Sequence, residues 1–122
     1  MDKQELQERL TNLAVRIVSM VDAMPSSLGA QTIARQVVRS GTSPSANYRA
    51  ACIAKSDKDF LNKLKMVEEE LDETCHWLEL SIRCQILKPS RIEPLHQECK
   101  ELLSIIVKSI VTIKTRINAD KL

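Results

Sequence analysis

Apolar residues recur every three or four positions along almost the whole chain, in four segments separated by short interruptions. In the first segment these positions include Leu6, Leu10, Leu13 and Ile17, which share one face of a helix. One helix cannot bury its own apolar face, so this pattern requires several helices that pack against each other.

The interruptions between these segments are short. The chain of 122 residues contains only two Gly and four Pro, which leaves few turns and argues against a sheet protein. We predict one domain, residues 1–122, with helices at residues 3–23, 28–55, 57–87 and 91–118. Connections of a few residues make successive helices antiparallel, so the expected fold is an all-α, up-down four-helix bundle.

The second helix is predicted to be broken at residues 41–43. Gly41 is typical of the residue that ends a helix by adopting the left-handed backbone conformation. Ser43 is a good N-cap, and Pro44 suits the first position of a new helix. The expected result is one bent element made of two half-helices, with Ala46 and Ile53 among the residues facing inward. The hydroxyl groups near the break then have a capping role and need no catalytic one.

Positive charge is concentrated in residues 31–65. The whole chain has a net charge of +2, whereas this segment alone has seven Lys and Arg against two Asp. We expect five of these cations to be exposed and to contact nucleic-acid phosphates: Arg35, Arg39, Arg49, Lys55 and Lys58. The alternative interpretation is a solvated charged face with no ligand. Aromatic residues such as Tyr48 are nearly absent near these cations, so recognition of single strands by base stacking is not expected.

Two Glu-x-x-His motifs, Glu73–His76 and Glu93–His96, have the spacing that di-iron four-helix bundles use. Pairing the third and fourth helices about Pro89 sets the two motifs roughly two turns apart. The second helix also supplies no carboxylate. Ordinary surface Glu and His residues are therefore the preferred interpretation.

A zinc site from Cys84, His96 and Cys99 is a further alternative, because these residues flank the same turn. No pair among them has finger-like spacing, and buried cysteines otherwise behave as small apolar residues. The sequence also has no Gly-rich phosphate loop and no positioned Ser–His–acid set. We therefore expect a protein that is not an enzyme and uses no metal or cofactor.

The chain has no apolar run near the roughly 18 residues of a membrane span, and its polar N-terminus lacks the core of a signal peptide. Its four cysteines have no CxxC spacing, which is typical of a compartment that keeps thiols reduced. These features predict a cytoplasmic protein.

Residues 39–49, RSGTSPSANYR, resemble the bacterial four helix bundle protein family. This family includes proteins encoded in intervening sequences of 23S ribosomal RNA genes. The similarity extends over residues 5–117, and its core is the pattern Arg-Ser-x-x-Ser-x-x-x-Asn that ends at Asn47. Many relatives carry Glu just after this segment, where this chain has Ala50 and Ala51.

The resemblance implies a closed, ring-like homopentamer of four-helix bundles. It also implies kinship with the accessory variability determinant of diversity-generating retroelements, a basic pentamer that works with a reverse transcriptase and nucleic acid. A structural role is expected for Gly41, Ser43, Pro44 and Asn47.

Charge and resemblance together favour a non-catalytic oligomer that binds RNA, DNA or a ribonucleoprotein partner such as a reverse transcriptase. The alternative is a structural or protein-interaction module with no nucleic-acid role. Its working surface would be the broad apolar face of the last helix, which Leu103, Val107 and Val111 widen.

Overall fold

The computed structural model describes residues 1–121. Over this range the chain forms four α-helices and no strand: α1 (Lys3–Asp22), α2 (Leu28–Cys52), α3 (Asp57–Arg83) and α4 (Pro89–Asp120). Each helix packs against the next along the chain, and α1 also contacts α4, although less extensively. The predicted all-α bundle of four helices is confirmed. No helix within residues 1–121 combines the length and hydropathy needed to cross a membrane.

One apolar core runs between the four helices. Leu64, Leu71 and Leu78 of α3 recur every seven residues and are fully buried, as the apolar pattern predicts. The other helices add large side chains that are also fully buried, including Leu10, Leu13 and Ile17 of α1 and Leu102 and Ile106 of α4. Burial of each such side chain contributes about 1.5–3 kcal/mol to folding.

Three helices begin with a side-chain cap. Asp2, Ser27 and Ser56 each accept a hydrogen bond from the backbone amide three residues further on, at 2.8, 3.3 and 3.1 Å respectively. These bonds satisfy amide groups that the first turn of a helix leaves without partners. Asp and Ser are among the residue types preferred at this position.

The ends of α3 and α4 differ from the prediction. The third helix stops at Arg83 rather than at residue 87, because Gln85 adopts a positive φ of 53° and reverses the chain. The next two residues, Ile86 and Leu87, still pack against the core, which explains why the apolar pattern continues past the helix end. The fourth helix begins at Pro89 rather than at residue 91, and it has no side-chain cap.

The predicted break in the second helix is wrong, because α2 is continuous from Leu28 to Cys52. Gly41 is helical and buried, and a Cβ atom there would lie 3.0 Å from both γ carbons of Ile17 in α1. Glycine is therefore needed for the close approach of two helices and does not mark a helix end.

Ser43 and Pro44 lie inside α2. Pro44 has no amide hydrogen to donate to the Ser40 carbonyl one turn earlier. The Ser43 hydroxyl donates to the Arg39 carbonyl at 2.7 Å, and the Thr42 hydroxyl donates to the Val38 carbonyl at 2.6 Å. Such bonds to carbonyls four residues earlier are typical of residues within a helix, so Ser43 is not an N-cap.

Continuity of α2 also changes which residues face the core. A new helix beginning at Pro44 would turn Ala46 and Ile53 inward, yet both are exposed, and Ile53 is 81% exposed. The continuous helix instead buries Pro44, Tyr48 and Ala51, which extend the spacing set by the preceding turns.

Candidate nucleic-acid interface

Three of the five predicted contact residues lie at one end of the bundle. Arg49 is in the last turn of α2, Lys55 is in the connection, and Lys58 is in the first turn of α3. All three are exposed, and none forms an ion pair with another residue of the described chain. We call Arg49, Lys55 and Lys58 the basic end.

The two acids that flank Lys58 in the sequence are bound to other cations. Asp57 accepts two hydrogen bonds from Arg116 of α4, at 3.1 and 3.2 Å. Asp59 accepts a hydrogen bond from Lys63 at 2.9 Å, and this bond lowers the pKa of Asp59 below its ordinary value. The carboxylates are thus balanced by Arg116 and Lys63, and the basic end keeps its positive charge.

A shallow polar cavity of about 220 Å³ borders the basic end. Its lining includes Lys3, Lys55 and Arg116 together with Asp57, and it lies beside the first turn of α3. The amide groups and dipole at a helix N-terminus favour anions. Three cations, one carboxylate and a helix N-terminus together suit a phosphate group.

Arg39 has a different environment from the basic end. Its guanidinium bonds Glu70 of α3 at 3.2 Å and also bonds Glu73. Glu73 accepts a further hydrogen bond from the Trp77 indole N–H at 3.1 Å. The Arg39 side chain is still 49% exposed, but its charge is already paired with two carboxylates. Arg39 therefore mainly forms ion pairs that join α2 to α3.

Arg35 is exposed but lies far from the basic end. It is one turn before Arg39 on α2, and the helical rise places it about 21 Å along the axis from Arg49. The fold therefore brings Arg49, Lys55 and Lys58 together and leaves Arg35 and Arg39 apart from them.

The two histidines of the Glu-x-x-His motifs line one shallow cavity of about 460 Å³ between α3 and α4. The expectation of two turns between them is wrong, because the early end of α3 shifts the pairing of the helices. Cys75 lies against Cys99, with the sulfur atoms 3.2 Å apart, so His76 is level with about residue 98. Pairing the helices about Pro89 would instead have placed it level with residue 102. Burial, with a further contribution from the Lys100 charge, lowers the pKa of His96.

The motif carboxylates do not converge on this cavity. Glu73 is bound to Arg39 and Trp77, and Glu93 is exposed. Cys99 contacts Cys75, while Cys84 is exposed. Within residues 1–121 no group of three or more His, Cys, Asp or Glu side chains could hold a metal ion.

A family model described as "23S rRNA-intervening sequence protein" matches residues 2–108. The chain belongs to this family. The resemblance read from residues 39–49 is therefore confirmed. Comparison with curated proteins found no match.

A solved structure supports the fold of this chain. The crystal structure of a protein with unknown function from the S23 ribosomal protein family of Bacteroides thetaiotaomicron is similar to it, with a TM-score of 0.80. The two sequences are 32% identical, and the match covers 86% of this chain and 97% of that chain.

The sequence prediction missed three further cations of this chain. Lys65 is exposed and lies seven residues after Lys58, so helical spacing alone could have placed both on one face of α3. Lys3 and Arg116 reach the basic end from the first turn of α1 and the last turns of α4. Only the packing of four helices brings them there, so no local sequence signal identifies them.

Proposed function

We propose that this chain is a non-catalytic helical-bundle protein that binds RNA, alone or within a ribonucleoprotein, through its basic end. The observation that carries this proposal is that Arg49, Lys55 and Lys58 lie at the same end of the bundle, exposed and without an ion-pair partner in the described chain. The family description refers to an intervening sequence of 23S rRNA, which makes RNA the first polyanion to test.

Binding would depend on phosphates rather than on bases. Tyr48 is buried, Phe60 is half-buried beneath the Lys3 ammonium at 4.7 Å, and the indole of Trp77 is bound to Glu73. None of the three rings is placed to stack on an unpaired base. Lys and Arg contacts to phosphates release counterions and carry no sequence information. We therefore expect structured RNA to be bound by charge and shape.

The proposal includes no catalytic step. The hydroxyls of Thr42, Ser43 and Ser45 all donate to carbonyls of their own helix, at 2.6, 2.7 and 3.2 Å. A serine or threonine nucleophile instead needs a neighbouring base to take its proton. These hydroxyls therefore have a structural explanation within α2.

We further propose that the functional form is a ring-like homopentamer, as the family resemblance implies. Three cations on one copy make few phosphate contacts, whereas a ring repeats them and adds weak contacts through multivalency. The apolar face of α4 supports assembly, because Val107 and Val111 remain 40% and 59% exposed in the single chain. Light scattering tests this: a species of 13.8 kDa at high concentration would overturn the ring.

Filter binding tests the RNA proposal. Structured RNA, and duplex DNA of the same length as a comparison, are titrated with protein at two salt concentrations. Three phosphate contacts on a duplex predict a slope of about −3 in a plot of log affinity against log salt, and a steeper slope if several copies bind. Absence of salt-dependent binding at micromolar protein would overturn the proposal.

A protein-interaction module is the second candidate function. It rests on the same exposed valines of α4, and its partner would be a reverse transcriptase or another ribonucleoprotein component rather than RNA itself. An assembled protein that binds no RNA at low salt would favour this candidate, because the apolar face would then act without the basic end.

A further inference from the structure

Two thiol groups meet across the interface of α3 and α4. The sulfur atoms of Cys75 and Cys99 lie 3.2 Å apart, and Cys99 Sγ is also 3.3 Å from the Leu71 carbonyl oxygen. A disulfide bond is about 2.05 Å long, so the sulfurs must approach by about 1 Å, which a small side-chain rotation supplies. Cys75 and Cys99 contact each other within one chain, whereas Cys52 and Cys84 are exposed.

The two thiols differ in their access to solvent. Cys75 is partly exposed and lines the shallow cavity of about 460 Å³ that also contains His76, His96 and Lys100. Cys99 is fully buried beneath it. A small polar oxidant can therefore reach Cys75 from solvent, whereas Cys99 is accessible mainly through Cys75.

The charge distribution favours the same order of reaction. The hydrogen bond between Cys75 and Cys99 lowers the pKa of Cys75, and the Lys100 charge acts in the same direction, against burial and the Asp72 charge. Its neighbour Cys75 and burial both raise the pKa of Cys99. The thiolate is the nucleophilic form of cysteine, so Cys75 is the more reactive of the two.

We infer that Cys75 is an oxidation site for hydrogen peroxide and that Cys99 is its resolving thiol, so that oxidation links α3 to α4 by a reversible disulfide. This modification site is independent of the proposed RNA binding, because neither cysteine lies at the basic end.

The chemistry proceeds in two balanced steps. The Cys75 thiolate attacks one oxygen of hydrogen peroxide, the O–O bond breaks, and hydroxide leaves and takes up a proton as water. This converts Cys75 to a sulfenic acid. The Cys99 sulfur then attacks Cys75 Sγ, the S–O bond breaks, and the departing hydroxide takes the Cys99 proton as a second water. Two thiols and one peroxide thus give one disulfide and two waters.

Peptide mass spectrometry of the full chain tests the inference. The reduced protein is treated with hydrogen peroxide, remaining thiols are alkylated, and peptides are compared before and after dithiothreitol. We expect a linked Cys75–Cys99 peptide that lacks two hydrogens and is restored by the reductant. Contact between the thiols should make this product at least about tenfold more abundant than oxidation at Cys52 or Cys84. Equal oxidation of all four cysteines would overturn the inference.

Two variants in a Cys52→Ser, Cys84→Ser background separate the roles. With Cys99→Ala the reaction should stop at a Cys75 sulfenic acid, which dimedone labels. With Cys75→Ala, Cys99 should react at least about tenfold more slowly than Cys75 does in the first variant. Equal rates would overturn the assigned order.

Thermal unfolding supplies a readout on folded protein. The disulfide closes the chain around the α3–α4 connection, so oxidation should raise the melting temperature by on the order of 10 °C. A lower melting temperature after oxidation would mean that the bond forms only by distorting the native packing, and would overturn the inference.

Discussion

The middle and the end of α2 both carry arginine, yet the two regions differ in what surrounds the charge. In the middle, Arg39 bonds Glu70 and Glu73 of α3. At the end, Arg49 is exposed and has no ion-pair partner in the part of the chain that the structure describes. Acidic residues on the neighbouring helix therefore decide whether an exposed cation forms an ion pair between two helices or remains available to a ligand.

The two regions also differ in how closely the helices pack. In the middle of α2, Gly41 lies against Ile17 of α1, and the buried hydroxyls of Ser40 and Thr74 are 2.9 Å apart. Small and polar residues there allow α2 to approach both neighbours. The end of α2 instead leads into an exposed connection around Lys55. The middle thus specifies packing, while the exposed side chains at the end can change without disturbing the core.

Charge reversal at the basic end should have the largest effect. The triple variant Arg49→Glu, Lys55→Glu, Lys58→Glu is expected to weaken RNA binding by on the order of 100-fold at low salt, because three phosphate contacts become repulsive. Filter binding measures the loss, and circular dichroism checks that the helices remain.

The matched control for this variant reverses three exposed cations elsewhere: Lys88, Arg91 and Lys100. It changes the net charge by the same amount but leaves the basic end intact, so the loss should be less than about tenfold. Equal losses in the two triple variants would mean that net charge, rather than the end of α2, attracts RNA.

Gly41→Ala should have the next largest effect, on stability rather than on binding. The new methyl group would lie 3.0 Å from two carbons of Ile17, so we expect a loss of about 2 kcal/mol in the free energy of unfolding. Gly29→Ala is the control, since nothing lies within 4 Å of a Cβ there, and it should be neutral or stabilise by up to about 1 kcal/mol. Urea unfolding curves that shift equally would contradict the close approach of α1 and α2.

Arg39→Gln should cost about 1 kcal/mol of stability and change RNA affinity less than about twofold. Arg49→Gln should do the reverse, with little effect on stability and a severalfold loss of affinity.

A double-mutant cycle of Arg39→Gln with Glu73→Gln isolates the ion pair, which should couple by about 0.5–1 kcal/mol. If Arg39→Gln weakened RNA binding as much as Arg49→Gln, Arg39 would belong to the interface despite its carboxylate partners.

Regular patterns in the sequence predicted the helices, whereas features that depend on distant partners were missed. The spacing of Leu6, Leu10, Leu13 and Ile17 is local, and it correctly predicted the buried face of α1. Gly41 was misread because a glycine can end a helix or allow close packing, and only the position of Ile17 distinguishes the two.

The site was less predictable than the fold for the same reason. Arg39 was expected to be solvated because its acidic partners are on another helix, more than 30 residues later. The contact of Cys75 with Cys99 depends on the register of α3 against α4, which the positive φ at Gln85 changes by ending α3 early. Local periodicity carries no information about that turn.

The smallest predicted effect on RNA affinity concerns the hydrogen bond between Lys63 and Asp59, beside the basic end. The hydrogen bond from Lys63 lowers the pKa of Asp59 below 3.8, so the stabilising ionised form is fully present above pH 3.8 and is lost as the pH falls through the lowered pKa. Lys63→Gln should raise this pKa back toward 3.8, which carboxyl NMR titration measures. Without Lys63, the Asp59 carboxylate would interact more strongly with Lys55, whose charge already helps to lower its pKa, and RNA affinity should fall by about twofold although Lys63 is outside the basic end. A restored pKa with unchanged affinity would mean that Asp59 does not modulate these cations, and that their exposure alone distinguishes the end of α2 from its middle.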